Sequence, residues 1–172
     1  MTTETSYSLQ HSFAYPWRVV AQAFWLKYPH PSLPHVKEAL VFSREIDSQG
    51  RLVTKRIITV QQKVPRPLQS FTGGLDRFHA MEITVVDPKL EVLESMSHNL
   101  SFSRVMQAVT KASYVPNQES TEFTSTSTVH VHKFPRIIAK RIETSSSHSA
   151  SKNAIKGVET LELLCNTRHF AA

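Results

Sequence analysis

The sequence predicts an α+β fold, in which a curved antiparallel sheet of about seven strands carries a short N-terminal helix and a long C-terminal helix that together enclose a cavity. Three observations lead there. Apolar residues recur with a period of two in runs between Val36 and Phe134, as half-buried strands require. The breaks between most of these runs are too short to join parallel strands. After Pro135 the spacing changes to a helical one, with Ala154, Val158, Leu161 and Cys165 forming one apolar stripe.

Taken in order, Tyr7 to Tyr15 alternates loosely and reads as a first strand. Pro16 suits the first turn of a helix, where its missing N–H costs nothing. Val19, Val20, Ala23, Phe24 and Lys27 then predict an amphipathic helix over 17–28, which Pro29 stops. Residues 27–36, "KYPHPSLPHV", form a stiff elbow with three prolines, two histidines and a lysine. "VKEALVFSREI" (36–46) and "RLVTKRIITVQQ" (51–62) read as a hairpin around the turn cluster "DSQG". Residues 77–87 and 89–101 predict two more strands, with a tight turn at Asp87-Pro88. Residues 104–115 and 120–134 predict another pair turning near Pro116-Asn117. From Pro135 the chain reads as the long helix. "TSSSHSAS" (144–151) is a run of poor helix formers that either bends it or forms a linker.

An antiparallel sheet needs one face covered, and the C-terminal helix is the element available. Strands of eleven residues run roughly 36 Å at ~3.3 Å per residue, long enough to house an acyl chain. One segment interrupts the meander. In the twelve residues from Lys63 to Gly74, the loop Val64, Pro65, Arg66, Pro67, Leu68, Gln69, Ser70, Phe71, Thr72, Gly73 and Gly74 holds two prolines and two of the four glycines. It reads as a lid lacking structure of its own, or as a connector whose Leu68 and Phe71 tuck into the core.

Composition narrows function. The 172 residues carry 20 Lys and Arg against 14 Asp and Glu, a net charge of +6. That balance favours an anionic partner. The basic residues are dispersed, with no dense cluster beside exposed aromatics, so no nucleic-acid partner is expected. The single cysteine, Cys165, excludes an internal disulfide and a cysteine metal cluster, and it reads as helix core. His130 and His132 share a strand face but are too few for a metal site. No apolar run approaches the ~20 residues that span a bilayer. "MTTETSYSLQ" resembles neither a secretory signal nor a matrix presequence. There is no Gly-rich phosphate loop and no carboxylate pair spaced for acid–base chemistry, so neither an enzyme nor a cofactor is expected.

"KYPHPSLPHV", "REIDSQGRLVTKRI", "ITVVDP", "HNLSFS" and "KNAIKGVETLELL" occur in this order, and together they resemble the PRELI-like family, relatives of the Slowmo and Ups proteins. The likeness runs from Tyr7 to about Leu164 and makes the chain one domain, with a core of about 7–165 and a tail over 166–172. It implies a START-like fold with a lipid cavity, and a carrier of phosphatidic acid, or alternatively phosphatidylserine, across the mitochondrial intermembrane space. A non-transporting lipid-binding or scaffold module is the other alternative. It also implies transient contact with an anionic membrane and a heterodimer with a small twin-CX9C helical chaperone. Carried over residue by residue, the head-group site is Lys27, His35, Arg56, Asn153 and Lys156, with 64–74 as the lid. Val60 and Ser149 stand where some relatives have lysine. The helix is expected to stop soon after Leu164.

Each of these residues also has a plain structural role open to it. Lys27 ends a helix, where a cation is favourable. Arg56 suits a solvated strand edge. Lys156 lies nearly opposite the apolar stripe and points to the rim or the outside.

Overall fold

A computed structural model describes residues 4–64 and 66–169. The order is β1 (Glu4–Phe13), α1 (Trp17–Phe24), β2 (Val36–Ile46), β3 (Leu52–Gln61), β4 (Arg77–Asp87), β5 (Val92–Asn99), β6 (Met106–Asn117), β7 (Ser120–Val131) and α2 (Arg136–His169). All seven strands join one antiparallel sheet in the order β1-β7-β6-β5-β4-β3-β2. The predicted meander is therefore present from β2 to β7, and the first strand returns to pair with the last.

Local chemistry sets the boundaries. α1 ends earlier than 28. Leu26 N–H donates to Ala23 C=O at 3.0 Å and Lys27 N–H to Phe24 C=O at 3.3 Å. These tighter bonds close the helix before the proline elbow. At the first hairpin, Asp47 Oδ1 accepts from Gln49 N–H and Arg51 N–H while Arg51 Nε donates to Oδ2. Those bonds hold the Asp47 carboxyl below its usual range. Gly50 takes the left-handed conformation that this turn requires, with φ +79°. β6 runs through Pro116 and Asn117 and turns two residues later than predicted, with Gln118 at φ 56°.

α2 is continuous over 34 residues, including all of Thr144–Ser151. Those residues have weak propensity, but packing on both sides of them holds the helix across the gap. It also continues past Leu164 to His169, so most of the expected tail is helix. Residues 170–172 lie outside the described residues.

The loop between β3 and β4 has structure of its own, a 3₁₀ turn over Arg66–Phe71. Thr72 Oγ1 donates to Gln69 C=O at 2.8 Å and accepts from Gly74 N–H at 3.1 Å. Gly73 and Gly74 both have positive φ. Pro65 and the side chains of Pro67 and Phe71 lie outside the described residues.

The core has two main parts. At one end, Leu161 and Cys165 of α2 pack on Phe13, Trp17, Val20, Phe24, Leu93, Tyr114 and Phe123. At the other, Ala139 and Ile142 pack on Val105, Val129, Val131 and the loop residue Leu68. Burial beside Glu162 pushes the Cys165 thiol up to about 12, as an inert core cysteine should behave.

Leu161 is sealed at the centre of the first cluster. Leu161→Ala is expected to lower unfolding free energy by roughly 2–5 kcal/mol in urea titration.

Candidate functional site

Between its two packed ends α2 stands off most of the sheet, with Ser146 Oγ donating to Met106 Sδ at 3.7 Å. The gap is a cavity of about 360 Å³. Its floor follows from strand alternation: Ile58 and Val60 on β3, Phe78, Ala80 and Glu82 on β4, Ser95, Ser97 and Asn99 on β5. Ala108, Thr110, Ala112 and Tyr114 on β6 and Phe123, Ser125 and Ser127 on β7 complete it. Its roof is Ser145, Ser146, Ser149, Ala150, Asn153, Ala154, Gly157 and Val158 of α2, recurring at helical spacing. The serine run that looks like a bend in the sequence is thus the cavity face of a continuous helix. Small side chains there leave the space open, and a Cβ added at Gly157 would meet nothing within 4 Å.

The elbow places Lys27, Tyr28 and His35 on the cavity wall. The Lys27 ammonium lies 5.0 Å from the Phe24 ring centroid and 4.7 Å from that of Tyr28. No carboxylate among the described residues comes within ion-pair distance of it. Burial works against its charge, but Tyr114, Tyr28 and Glu82 outweigh that effect. Its pKa stands above the ordinary lysine value, and the group remains an ammonium at neutral pH.

His35 is pulled below the usual histidine range by burial and by the positive charges of Lys156 and Lys37. It is therefore a neutral imidazole at pH 7, able to donate one hydrogen bond. Asn153 lines the cavity with its amide unengaged by other described side chains. Lys156 is exposed and off the cavity wall, near enough to act on His35. Lys27, His35 and Asn153 therefore share one cavity, with Lys156 outside beside His35.

Arg56 is placed otherwise. It is 3% exposed and does not line the cavity. β3–β4 register sets it opposite Glu82, whose Oε1 accepts from Arg56 Nε at 2.8 Å and Nη2 at 2.5 Å. Its guanidinium also lies 5.3 Å from the Phe24 centroid and 5.1 Å from that of Trp25. It is not the solvated strand edge that its sequence context allows.

Glu82 and Tyr114 line the same cavity, and sequence reasoning missed both. The signal for Glu82 was available. It sits mid-strand between apolar neighbours, where a lone carboxylate has to find a partner.

The loop closes over the far end. Leu68, 1% exposed, inserts into the core cluster, and Lys63 and Val64 join the cavity wall. The tucked Leu68 is the position that the connector alternative describes. His130 and His132 meet edge to face at 4.2 Å. No group of three metal-ligating side chains forms among the described residues.

Residues 18–170 match the PRELI-like family. The chain belongs to that family. It is 32% identical to the mitochondrial protein Ups2 of Saccharomyces cerevisiae over 152 residues, covering 86% of this chain and 66% of Ups2. It is 31% identical to a UPS-like protein of Schizosaccharomyces pombe, covering 88% and 84%. To the mitochondrial PRELI domain-containing protein 1 of Gallus gallus it is 28% identical, covering 63% of this chain and 52% of that one.

The fold is also that of a solved protein from Thermus thermophilus, with TM-score 0.66, 14% identity and coverage of 95% and 99%. It is likewise that of an aromatase/cyclase from a Streptomyces species, with TM-score 0.65, 10% identity and coverage of 96% of each chain. This is a START-like, helix-grip architecture, as the PRELI-like resemblance implies.

Two outcomes follow. Lys27→Met keeps the volume and removes the charge, so it should change stability by less than about 1.5 kcal/mol in urea titration. His35 should titrate below 6.5 by NMR. The unfolded chain then takes up a proton near 6.5 that the folded chain does not, so the stability contributed by neutral His35 is present above that pH and lost as pH falls. An anion bound in the cavity should raise the His35 midpoint.

Proposed function

We propose that this protein extracts an acidic phospholipid from one mitochondrial membrane and carries it across the intermembrane space to another. One observation carries the reading: a cavity whose wall presents the Lys27 ammonium without an ion-pair partner among the described residues. A charge kept out of water in that state is costly unless an anion joins it. The rest of the hollow accepts acyl chains, each buried methylene contributing roughly 0.8 kcal/mol. His35 and Asn153 supply hydrogen bonds, and Lys156 adds charge outside. Phosphatidic acid, first in the resemblance, and phosphatidylserine, its alternative, share this phosphate chemistry. The mitochondrial names of two relatives support the compartment. Nothing in the cavity calls for a chemical step, and we read the protein as a carrier, not an enzyme.

A small helical partner of the twin-CX9C kind has a surface to meet. Edge strand β2 exposes Leu40, Val41, Phe42 and Ile46, with Leu26 exposed on the chain leading into it. Apolar side chains grouped in this way mark an interaction site.

The buried Leu68 favours a second reading, a lipid-binding module that stays closed and transports nothing. Vesicle-to-vesicle transfer separates the two. The wild type should move acidic phospholipid, and Lys27→Glu should lose it by about tenfold or more, on the order expected for a lost charge-assisted contact. Gly157→Leu should fill the cavity and stop transfer. It should leave thermal stability equal or higher, since leaving glycine in a helix gains up to about 1 kcal/mol. Protein that co-purifies with no lipid and moves none would end the carrier reading.

A further inference from the structure

The sheet has two open edges, β1 and β2, and they are built differently. β2 is guarded. Its ladder with β3 shifts register twice, between Val36 and Glu38 and between Val41 and Ser43, and the exposed charges Lys37, Glu38, Arg44 and Glu45 lie along it. Bulges and charges of this kind keep a strand edge from pairing with another chain. β1 has neither device. It pairs with β7 without a break from Glu4↔His130 to Phe13↔Thr121. Residues 5–12, "TSYSLQHS", contain no Lys, Arg, Asp, Glu, Pro or Gly. Among the described residues the backbone–backbone bonds of β1 all go to β7. The outward N–H and C=O groups of this ten-residue strand are therefore open to a further strand.

The helix beside this edge says where that strand comes from. Lys140 Nζ donates to Thr5 Oγ1 at 3.3 Å, and His11 Nε2 donates to Glu162 Oε1 at 2.7 Å. The flank of α2 over β1 thus carries a cation near its start and a carboxylate near its end. Exposed Arg136 reinforces the first and exposed Glu159 the second. Lys140, Ser151 and Glu162 follow one another at three helical turns, so they lie on one line with Ser151 at its centre. Ser8 is likewise midway between Thr5 and His11. A second copy of β1 laid antiparallel, with a two-fold axis at Ser8, sets Thr5 of each copy opposite His11 of the other. Lys140 of each copy then approaches Glu162 of the other, and Lys140 has no ion-pair partner among the described residues of its own chain. Tyr7 meets Leu9 across the new pair, a favourable cross-strand contact. Ile155, 44% exposed and one turn beyond Ser151, gains cover. A copy laid parallel would instead set lysine beside lysine.

We propose that the β1 edge is a self-association surface, at which two copies of this chain pair β1 antiparallel about Ser8 and join their sheets. The contact is isologous, so it closes at a dimer. β2, at the opposite edge, stays free for the helical partner, and the inference does not depend on what the cavity carries.

The test is sedimentation velocity on the full-length protein from low micromolar to sub-millimolar concentration. A dimer should form as concentration rises. Ser8→Lys sets two like charges face to face on the axis and should raise the dissociation constant on the order of tenfold or more. Ser8 is exposed on the outer face, so the thermal midpoint of the dilute variant should stay close to that of the wild type. Lys140→Glu and Glu162→Lys should each weaken the dimer, and the two together should restore it, because the exchange recreates the match across the axis. A chain that stays monomeric throughout, a dimer that Ser8→Lys leaves intact, or one that the double exchange does not restore would overturn the proposal.

Discussion

Everything functional in this structure depends on α2 being packed at its ends while small side chains between them leave a hollow above the sheet. Ile142 is anchored in one apolar cluster and Leu161 in the other. Nineteen residues separate them, about 28 Å along a helix. Across that span the helix offers serine, alanine, asparagine and glycine to the sheet. Larger side chains there would gain contacts and close the hollow. Interiors normally pack to the density of organic crystals, so an unfilled space under the longest helix of the fold is a feature that the sequence maintains by side-chain size.

The same restraint governs the charges. Lys27 and Lys63 lie on the cavity wall, Arg56 and Lys156 lie beside it, and Glu82 is the one carboxylate among the described lining residues. Pairing Arg56 with Glu82 satisfies the arginine and stacks it on aromatic rings. Lys27 is left over, and its ammonium stays charged at the edge of the cavity. A protein that only needed to fold would place methionine or leucine there. Keeping a cation with no described carboxylate within ion-pair distance makes sense when an anion arrives from outside. The neutral His35 and the unengaged Asn153 amide on the same wall add hydrogen-bonding capacity with no further charge to bury.

The sheet was legible in the sequence because period-two alternation and turn chemistry are local signals. β2, β3 and β4 appear within a residue or so of where the spacing puts them. α2 was legible at its ends and not at its centre. "TSSSHSAS" has the propensities of a loop, and only packing at Ala139 and Leu161, far away in sequence, makes it helix. Read at 3.6 residues per turn, its serines were already a stripe, but a stripe of small residues signals a cavity only when a sheet is known to lie beneath it. The site was half legible. Lys27, His35 and Asn153, three of the five residues named from the family resemblance, line the cavity. Arg56 does not, because its fate depends on the residue paired with it across β3 and β4, which register decides and composition cannot. Leu68, for which the sequence left both a lid and a tucked connector open, is core, because the pocket that receives it is assembled from β6, β7 and α2.

A crystal structure grown from protein loaded with acidic phospholipid would test the central claim most directly. The cavity between α2 and the sheet should hold the acyl chains, with the phosphate oxygens within hydrogen-bond distance of Lys27 Nζ. Lipid density confined to the outer surface, with the hollow filled by water and Lys27 untouched, would contradict it.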